Sequence, residues 1–471
     1  MLAENFKRTK IVTTIGPASS SPLILEKMML SGVNMFRLNF SHGTHEQHGK
    51  IITLARQLGK KHNRPIAILA DLQGPKIRVG ELPEDGLPFI KDDTVQFEYE
   101  ADYAKTRIIP MQHDISPYLK VGERIFLKDG QINVEITEVA GTLVSGKVVL
   151  PGLLYSNQGM NLPDTDLGGD IMTPKDIADL EFAAANDADY VALSFVQNAD
   201  DVYRMRDRLS ALKSDLLIIS KIETRAAVEN LQEIVDATDA IMVARGDLAV
   251  ETSPEAVPGI QRKLIQMSKT ARKPVIVATQ MLESMMQSTQ PLRAEVSDVA
   301  TAVMEGADAV MTSGETAMGL YPVETVRMMK RIILQTEREG LEIVAERRND
   351  FGKQTRDNAI SAAAVVLARQ LPATVILAAT TSGRTARNIS SLRPEVPVIM
   401  ATNQRRVFNQ LAIVWGGKSF LLDDMTDVDE KIITMLKRAG NVRSGDHIVV
   451  ASGIKPNISG GTDTVQVAIV D

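Results

Sequence analysis

The chain has no cysteine among its 471 residues. Disulfides, thiolate metal sites and a cysteine nucleophile are therefore excluded. No apolar run approaches the roughly 20 residues that a membrane span needs. The first residues carry Glu4 and lack an apolar core, so no signal peptide is expected. A net charge of −6 is spread along the chain, and no basic stripe suggests nucleic acid or a membrane surface as partner. Low-complexity segments are also missing. What remains, 44% apolar and 24% charged residues with a mean hydropathy near zero, describes a soluble globular protein for which a cytoplasmic location is expected. This length exceeds one ordinary core and predicts about two to four domains.

Residues 216–223 (LLIISKIE) form a run apolar at nearly every position, followed by a helical pattern over 226–235. Such a run reads as a strand buried on both faces, as in a parallel sheet under helices. Lys221 and Glu223 end it and, by strand alternation, point the same way. Both are costly to desolvate unless they hold a ligand, a metal or each other. A structural ion pair closing the strand is the plain alternative.

Similar runs lie at 10–15, 33–40, 66–71, 190–196, 240–244, 274–279 and 308–312, with helical patterns such as 22–30 and 43–58 between them. Eight strand–helix units predict a closed (β/α)8 TIM barrel over residues 1–72 and 168–346, with ligand chemistry at the carboxyl ends of its strands. The rhythm breaks at 73–167, where short alternating segments (94–98, 124–127, 133–138, 143–150) with turns such as Asp129-Gly130 predict an inserted small β-barrel. After a long helix (322–347) and a polar connection (348–357), strands are expected at 374–379, 396–401, 419–422, 447–451 and 465–470. They predict a C-terminal doubly wound α/β domain over 347–471.

In a barrel the polar residues at the strand ends converge. Here they are Arg37, Asn39, Ser41, Asp71, Lys221, Glu223, Arg245, Gly246, Asp247, Thr279, Ser313 and Glu315. Glu223 and Asp247 suit a hard divalent cation such as Mg²⁺, which takes one or two protein carboxylates and leaves its other positions to water and phosphate. Lys221 and Arg37 suit a transferring phosphoryl group. Gly246 would let an anion approach the N–H groups opening the next helix. A Schiff-base aldolase would also use a strand-end lysine such as Lys221, and a non-catalytic sugar-phosphate sensor could rest on the C-terminal domain alone.

Eight segments, at 10–19 (KIVTTIGPAS), 35–43 (MFRLNFSHG), 71–78 (DLQGPKIR), 219–223 (ISKIE), 243–248 (VARGDL), 278–285 (ATQMLESM), 293–299 (RAEVSDV) and 313–317 (SGETA), resemble the pyruvate kinase family in order and spacing. The resemblance spans essentially the whole chain. It implies phosphoryl transfer from phosphoenolpyruvate to ADP, giving pyruvate and ATP, in a glycolytic kinase. It also implies Mg²⁺ on Glu223 and Asp247, with Mn²⁺ as an alternative, and a second ion arriving with the nucleotide. Lys221 would stabilise the phosphoryl in flight and Arg37 bind its oxygens. Gly246, Asp247 and Thr279 would position the carboxylate, and Thr279 with Ser313 and Glu315 would serve proton delivery. Arg78, Asn39 and His42 would face the nucleotide, His42 having the alternative of a polar residue at a helix start.

Family members hold K⁺ with residues matching Asn39, Ser41, Asp71 and the Leu72 backbone, beside a glutamate after Gly-Pro. This chain has Lys76 there, and an ammonium group can supply the same single charge. Independence of K⁺ is therefore expected, against the alternative of a solvated hinge lysine. Gln47 and Asn157-Gln158 replace the usual nucleotide-side Tyr and Lys, so no adenine contact is assigned there. Met318 stands where a lysine is usual, as a surface or interface change. The Met281, Met285, Met286 cluster has the helical spacing of core or subunit interface.

In the C-terminal domain, 380–387 (TTSGRTAR) follows a strand and opens a helix, which is either a capping motif or a phosphate cradle. The resemblance favours the cradle: a sugar-phosphate or nucleotide effector on Thr381, Ser382, Gly383, Arg384 and Thr385, with 453–461 as second wall. It also implies allosteric activation of a homotetramer.

Overall fold

The computed structural model describes residues 6–128, 130–165, 168, 170–345, 355–453 and 462–471. Eight parallel strands close a barrel: β1 (Lys10–Ile15), β2 (Met35–Asn39), β3 (Ala67–Asp71) and, after an insert, β13 (Tyr190–Leu193), β14 (Leu217–Ile222), β15 (Ala240–Ala244), β16 (Val275–Ala278) and β17 (Ala309–Thr312). Their order is β1-β17-β16-β15-β14-β13-β3-β2. Most are buried along their whole length because both faces are covered. Inside the barrel, Met35, Leu69, Tyr190, Ile219, Met242 and Met311 interdigitate, and outside it a larger apolar layer packs strands on helices.

The insert contains β4 (Ile77–Arg78), β5 (Leu87–Phe89), β6 (Thr94–Tyr99), β7 (Ile109–Met111), β8 (Arg124–Leu127), β9 (Ile132–Ala140), β10 (Leu143–Leu150), β11 (Gly152–Leu154) and β12 (Gly159–Asn161). Seven of them form one sheet, β4-β12-β8-β9-β10-β6-β7, and β11 pairs with β5. The C-terminal sheet joins β18 (Val375–Ala379), β19 (Val398–Thr402), β20 (Gly417–Leu421), β21 (His447–Ser452) and β22 (Thr464–Ile469) in the order β20-β19-β18-β21-β22. Its last strand is antiparallel to β21. This domain covers the amino-terminal end of the barrel, where Ala412 and Ile413 join the barrel's interior cluster and Tyr190 donates to the Gln410 carbonyl (2.7 Å). No helix among the described residues is long and apolar enough to cross a membrane.

Three local expectations are corrected. The helix expected over 226–235 is two, Arg225–Glu229 and Leu231–Ala237, because Asn230 turns its side chain to the Gln197 carbonyl. Met281, Met285 and Met286 do not lie on an α-helix; a single 3-10 turn, Glu283–Met286, carries the last two, while Met281 and Met285 are fully buried core. The connection placed at 348–357 ends earlier, since Thr355 caps the helix Arg356–Gln370, and its residues 348–354 lie outside the described ones.

Candidate functional site

Parallel register aligns the strand ends. Asn39 stands beside Asp71 across β2 and β3, and Arg37 beside Thr14 of β1. Arg37 Nε donates to Asp71 Oδ2 (2.5 Å) and Nη1 to Thr14 Oγ1 (2.9 Å). Lys221 Nζ lies 3.6 Å from Asp71 Oδ1 and 3.2 Å from Glu223 Oε2, and donates to Ser194 Oγ at 2.8 Å. Four charges thus form one chain, Arg37–Asp71–Lys221–Glu223, with both carboxylates buried.

Burial raises the Glu223 carboxyl to about 7 against the pull of Lys221. Burial would lower Lys221, but Asp71, Glu223 and Asp247 outweigh it and hold the ammonium above its ordinary value. Asp71 is held below the carboxylate range because Arg37 and Lys221 together overcome its desolvation. Lys221 is therefore charged at neutral pH, the state a phosphoryl contact requires.

Glu223 Oε1 accepts from the Phe195 N–H (2.8 Å), while Glu223 Oε2 and Asp71 Oδ1 accept no hydrogen bond. Lys221 lies beside both oxygens, and because they accept no hydrogen bond they keep lone pairs for a further cation, so the donor set fits a hard metal ion at Glu223. No three His, Asp or Glu side chains converge on a metal position among the described residues. Such an ion would draw one or two carboxylates from the protein and the rest from substrate and water, as Mg²⁺ does. Asp247 opens the short helix Arg245–Glu251, and its Oδ1 lies 3.8 Å from Lys76 Nζ. Lys76 accordingly stands beside Asp247, the carboxylate expected to take the divalent ion.

Gly246 does not present a free N–H. It donates to Thr279 Oγ1 (2.9 Å), whose own hydroxyl donates to the Ala278 carbonyl (2.7 Å). Thr279 and Gln280 both sit at positive φ (67° and 53°), a strained turn of the kind that persists where surroundings over-determine it. Arg245 does so: it reaches the Thr279 carbonyl (2.6 Å) and is anchored on Asp298 (2.6 Å). Glu315 accepts from the N–H groups of Leu282 (3.1 Å) and Ser313 (2.6 Å). Its carboxylate therefore joins two loops rather than pointing into open space.

Of the residues expected to face a monovalent cation, Asn39 Oδ1 accepts from the Ser41 N–H (3.1 Å) and the Leu72 carbonyl from Ser194 (2.7 Å). His42 is exposed, and its carbonyl meets the His48 ring. Arg78 donates to the Asn157 carbonyl within the insert (2.8 Å). In the C-terminal loop, Thr380 Oγ1 accepts from the Gly383 N–H (2.9 Å) and Thr385 meets Thr462 at 2.6 Å. Arg384 pairs loosely with Asp357 at 3.5 Å. Residues 454–461 of the expected second wall lie outside the described ones.

Four contributors escape a reading of the sequence. Thr14 and Ser194 orient Arg37 and Lys221 but look like ordinary strand hydroxyls. Gly74 (φ +71°) lies so close to Phe195 and Ser194 that a Cβ would meet them at 2.8 and 2.9 Å. Glu251 is buried against Asn161 of the insert (3.1 Å), and burial raises its carboxyl to about 7. The Gly-Pro-Lys run was the only hint of the third; the fourth left none.

Residues 6–326 match the family model for the pyruvate kinase barrel domain, and residues 358–468 that for the pyruvate kinase alpha/beta domain. A pyruvate kinase of Agrobacterium vitis is 42% identical over 99% of both chains, and one of Clostridium acetobutylicum 38% identical over 99% of this chain and 100% of its own. The crystal structure of a pyruvate kinase from Cryptosporidium parvum superposes with a TM-score of 0.91 at 31% identity, covering 99% of this chain and 96% of that one.

Proposed function

The chain belongs to the pyruvate kinase family of phosphotransferases, and on that premise we propose that it moves the phosphoryl group of phosphoenolpyruvate to ADP, yielding pyruvate and ATP. The observation that carries the proposal is the Arg37–Asp71–Lys221–Glu223 chain at the barrel's carboxyl end, with two carboxylate oxygens that accept no hydrogen bond. Lys221, kept cationic by its carboxylates and oriented by Ser194, would meet charge developing on the transferring phosphoryl. Arg37 would bind its oxygens. Mg²⁺ held by Glu223 and Asp247 would supply a fixed divalent charge linking the substrate's carboxylate and phosphate.

Gly246 and Thr279 would release their mutual hydrogen bond to receive that carboxylate, which makes Thr279 the substrate-side hydroxyl. Thr279 and the Ser313 hydroxyl would then deliver the proton, with Glu315 holding their loops as a positioning residue. Arg78 would exchange Asn157 for nucleotide phosphates as the insert closes and excludes water, with Asn39 and His42 beside the nucleotide. The test is a coupled pyruvate-forming assay on Glu223→Gln and Asp247→Asn at saturating Mg²⁺. Both should abolish turnover, and near wild-type rates in either would sink the metal assignment.

We further propose that the enzyme works without K⁺. Lys76 brings a positive charge to the site, Asn39 Oδ1, Asp71 Oδ2 and the Leu72 carbonyl already have donors, and Asp71 Oδ1 faces the Lys221 ammonium. Rates in a tetramethylammonium salt should equal those in KCl at the same ionic strength; many-fold stimulation by KCl would refute this. Activation by a sugar phosphate or nucleotide at Thr381, Ser382, Gly383, Arg384 and Thr385 is proposed as well, within a homotetramer that gives the two states such regulation needs. Exposed Leu292, Met318 and Leu320 are apolar surface suited to subunit contact. Arg384→Ala should remove activation and leave basal activity; activation that survives it would move the effector elsewhere.

A further inference from the structure

Beneath the barrel, at the amino-terminal ends of β13 to β16, a cleft of about 810 Å³ separates the barrel from the C-terminal domain. Strand ends Tyr190, Leu217 and Pro274 form one wall, and the start of the helix Arg384–Ser391 with residues 355–358 forms the other. It lies at the opposite end of the barrel from Lys221 and Glu223. Its lining carries six Arg and Lys side chains against three Asp.

Among the described residues, two of the three Asp are each matched with one of these cations. Arg206 is paired with Asp239 (3.1 Å), and Arg384 only loosely with Asp357 (3.5 Å). Lys273 and Arg387 bond instead to neutral carbonyls, those of Asp236 (2.7 Å) and Ser382 (3.1 Å). Burial pushes both Lys273 and Arg387 below their ordinary values, so their charge is maintained at a cost that an anion would relieve. Arg387 is held in place by the turn before it. Gly383 sits at φ +78°, and a Cβ there would lie 2.8 Å from Arg387 Nη1.

We propose that this cleft binds a small phosphorylated organic anion, gripped by Arg206 and Lys273 from the barrel and by Arg356, Arg384 and Arg387 from the C-terminal domain. Guanidinium forks from two walls suit the several oxygens of a phosphate, and the volume suits a ligand of sugar-phosphate size. The site is separate from the backbone cradle of the 381–385 loop, although Arg384 touches both, and it does not depend on the phosphotransfer reading. Because the ligand would touch both domains and no substrate, its influence on the active site would be allosteric and carried by the domain interface.

The test is calorimetric titration with inorganic pyrophosphate, without divalent metal, of the full chain and three variants. Lys273→Met and Arg356→Ala remove one cation from each wall, Arg356 being exposed and safe for folding; Lys221→Met reports binding at the catalytic end. Saturable binding to the wild type, weakened about tenfold or more by each cleft variant and unchanged by Lys221→Met, is the expected result. No saturable binding by the wild type, or affinity that both cleft variants preserve while their melting temperatures match the wild type, would overturn the proposal.

Discussion

Gly74 permits a test of how tightly the backbone positions Lys221 and Glu223, the charges proposed to act on the substrate. It sits at φ +71°, and a Cβ would lie 2.8 Å from the Phe195 ring and 2.9 Å from Ser194 Cβ. Alanine in the left-handed region costs about 1–2 kcal/mol. Overpacking adds about 1–3 kcal/mol, so Gly74→Ala should lose about 2–5 kcal/mol in all. Gly122 separates the two effects: at φ +90° it has nothing within 4 Å of its Cβ position, and Gly122→Ala should lose only the first part, about 1–2 kcal/mol. Relief of the clash at Gly74 must displace Ser194 or Phe195. Ser194 holds Lys221, and the Phe195 N–H holds Glu223. Urea denaturation and kcat are measured for both variants. Gly74→Ala should be the less stable and lose turnover; Gly122→Ala should keep wild-type kcat. Equal destabilisation with unchanged kcat in both would refute the packing argument.

Lys221→Met keeps the stem and removes the charge, so kcat should fall by several orders of magnitude with little change in KM; a raised KM at unchanged kcat would reduce Lys221 to a binding residue. Arg245→Met should free the Thr279–Gln280 turn and lower kcat about 10- to 100-fold while the fold survives, with unaltered kinetics counting against a positioning role. Glu251 has a folded-state carboxyl raised to about 7 against an unfolded value of 4.5. The folded state therefore binds the extra proton, and stability falls as pH rises from about 4.5 to 7. Glu251→Gln should match the wild type in stability near pH 4.5 and exceed it at pH 8 by up to about 3 kcal/mol, read from melting curves. A melting difference independent of pH would contradict this.

The barrel was legible because its strands are buried on both faces and read as unbroken apolar runs; seven of the eight lie within two residues of their expected bounds, and the run read over 190–196 gives the shorter strand Tyr190–Leu193. The same signal failed in the insert, where β4, β5, β7, β11 and β12 are two or three residues long, too short to show alternation. Asn230 split a helix through a side-chain bond to Gln197, a residue 33 positions away, which local periodicity does not register. At the site, Arg37, Asp71, Lys221 and Glu223 were readable because charges at the end of apolar strands are conspicuous. Thr14, Ser194 and the positive-φ turn at Thr279 were not, since their roles depend on which strand lies alongside. The Gly246 N–H illustrates the limit from the other side: sequence suggests a free donor, and folding brings Thr279 Oγ1 onto it.

The most direct test of the account is product formation itself. Wild-type protein supplied with phosphoenolpyruvate, ADP and Mg²⁺ should produce pyruvate and ATP in equal amounts, and Lys221→Met, well folded by circular dichroism, should produce neither above background. Pyruvate released without matching ATP, or undiminished transfer by Lys221→Met, would contradict the assignment of phosphoryl transfer to the Arg37–Asp71–Lys221–Glu223 chain.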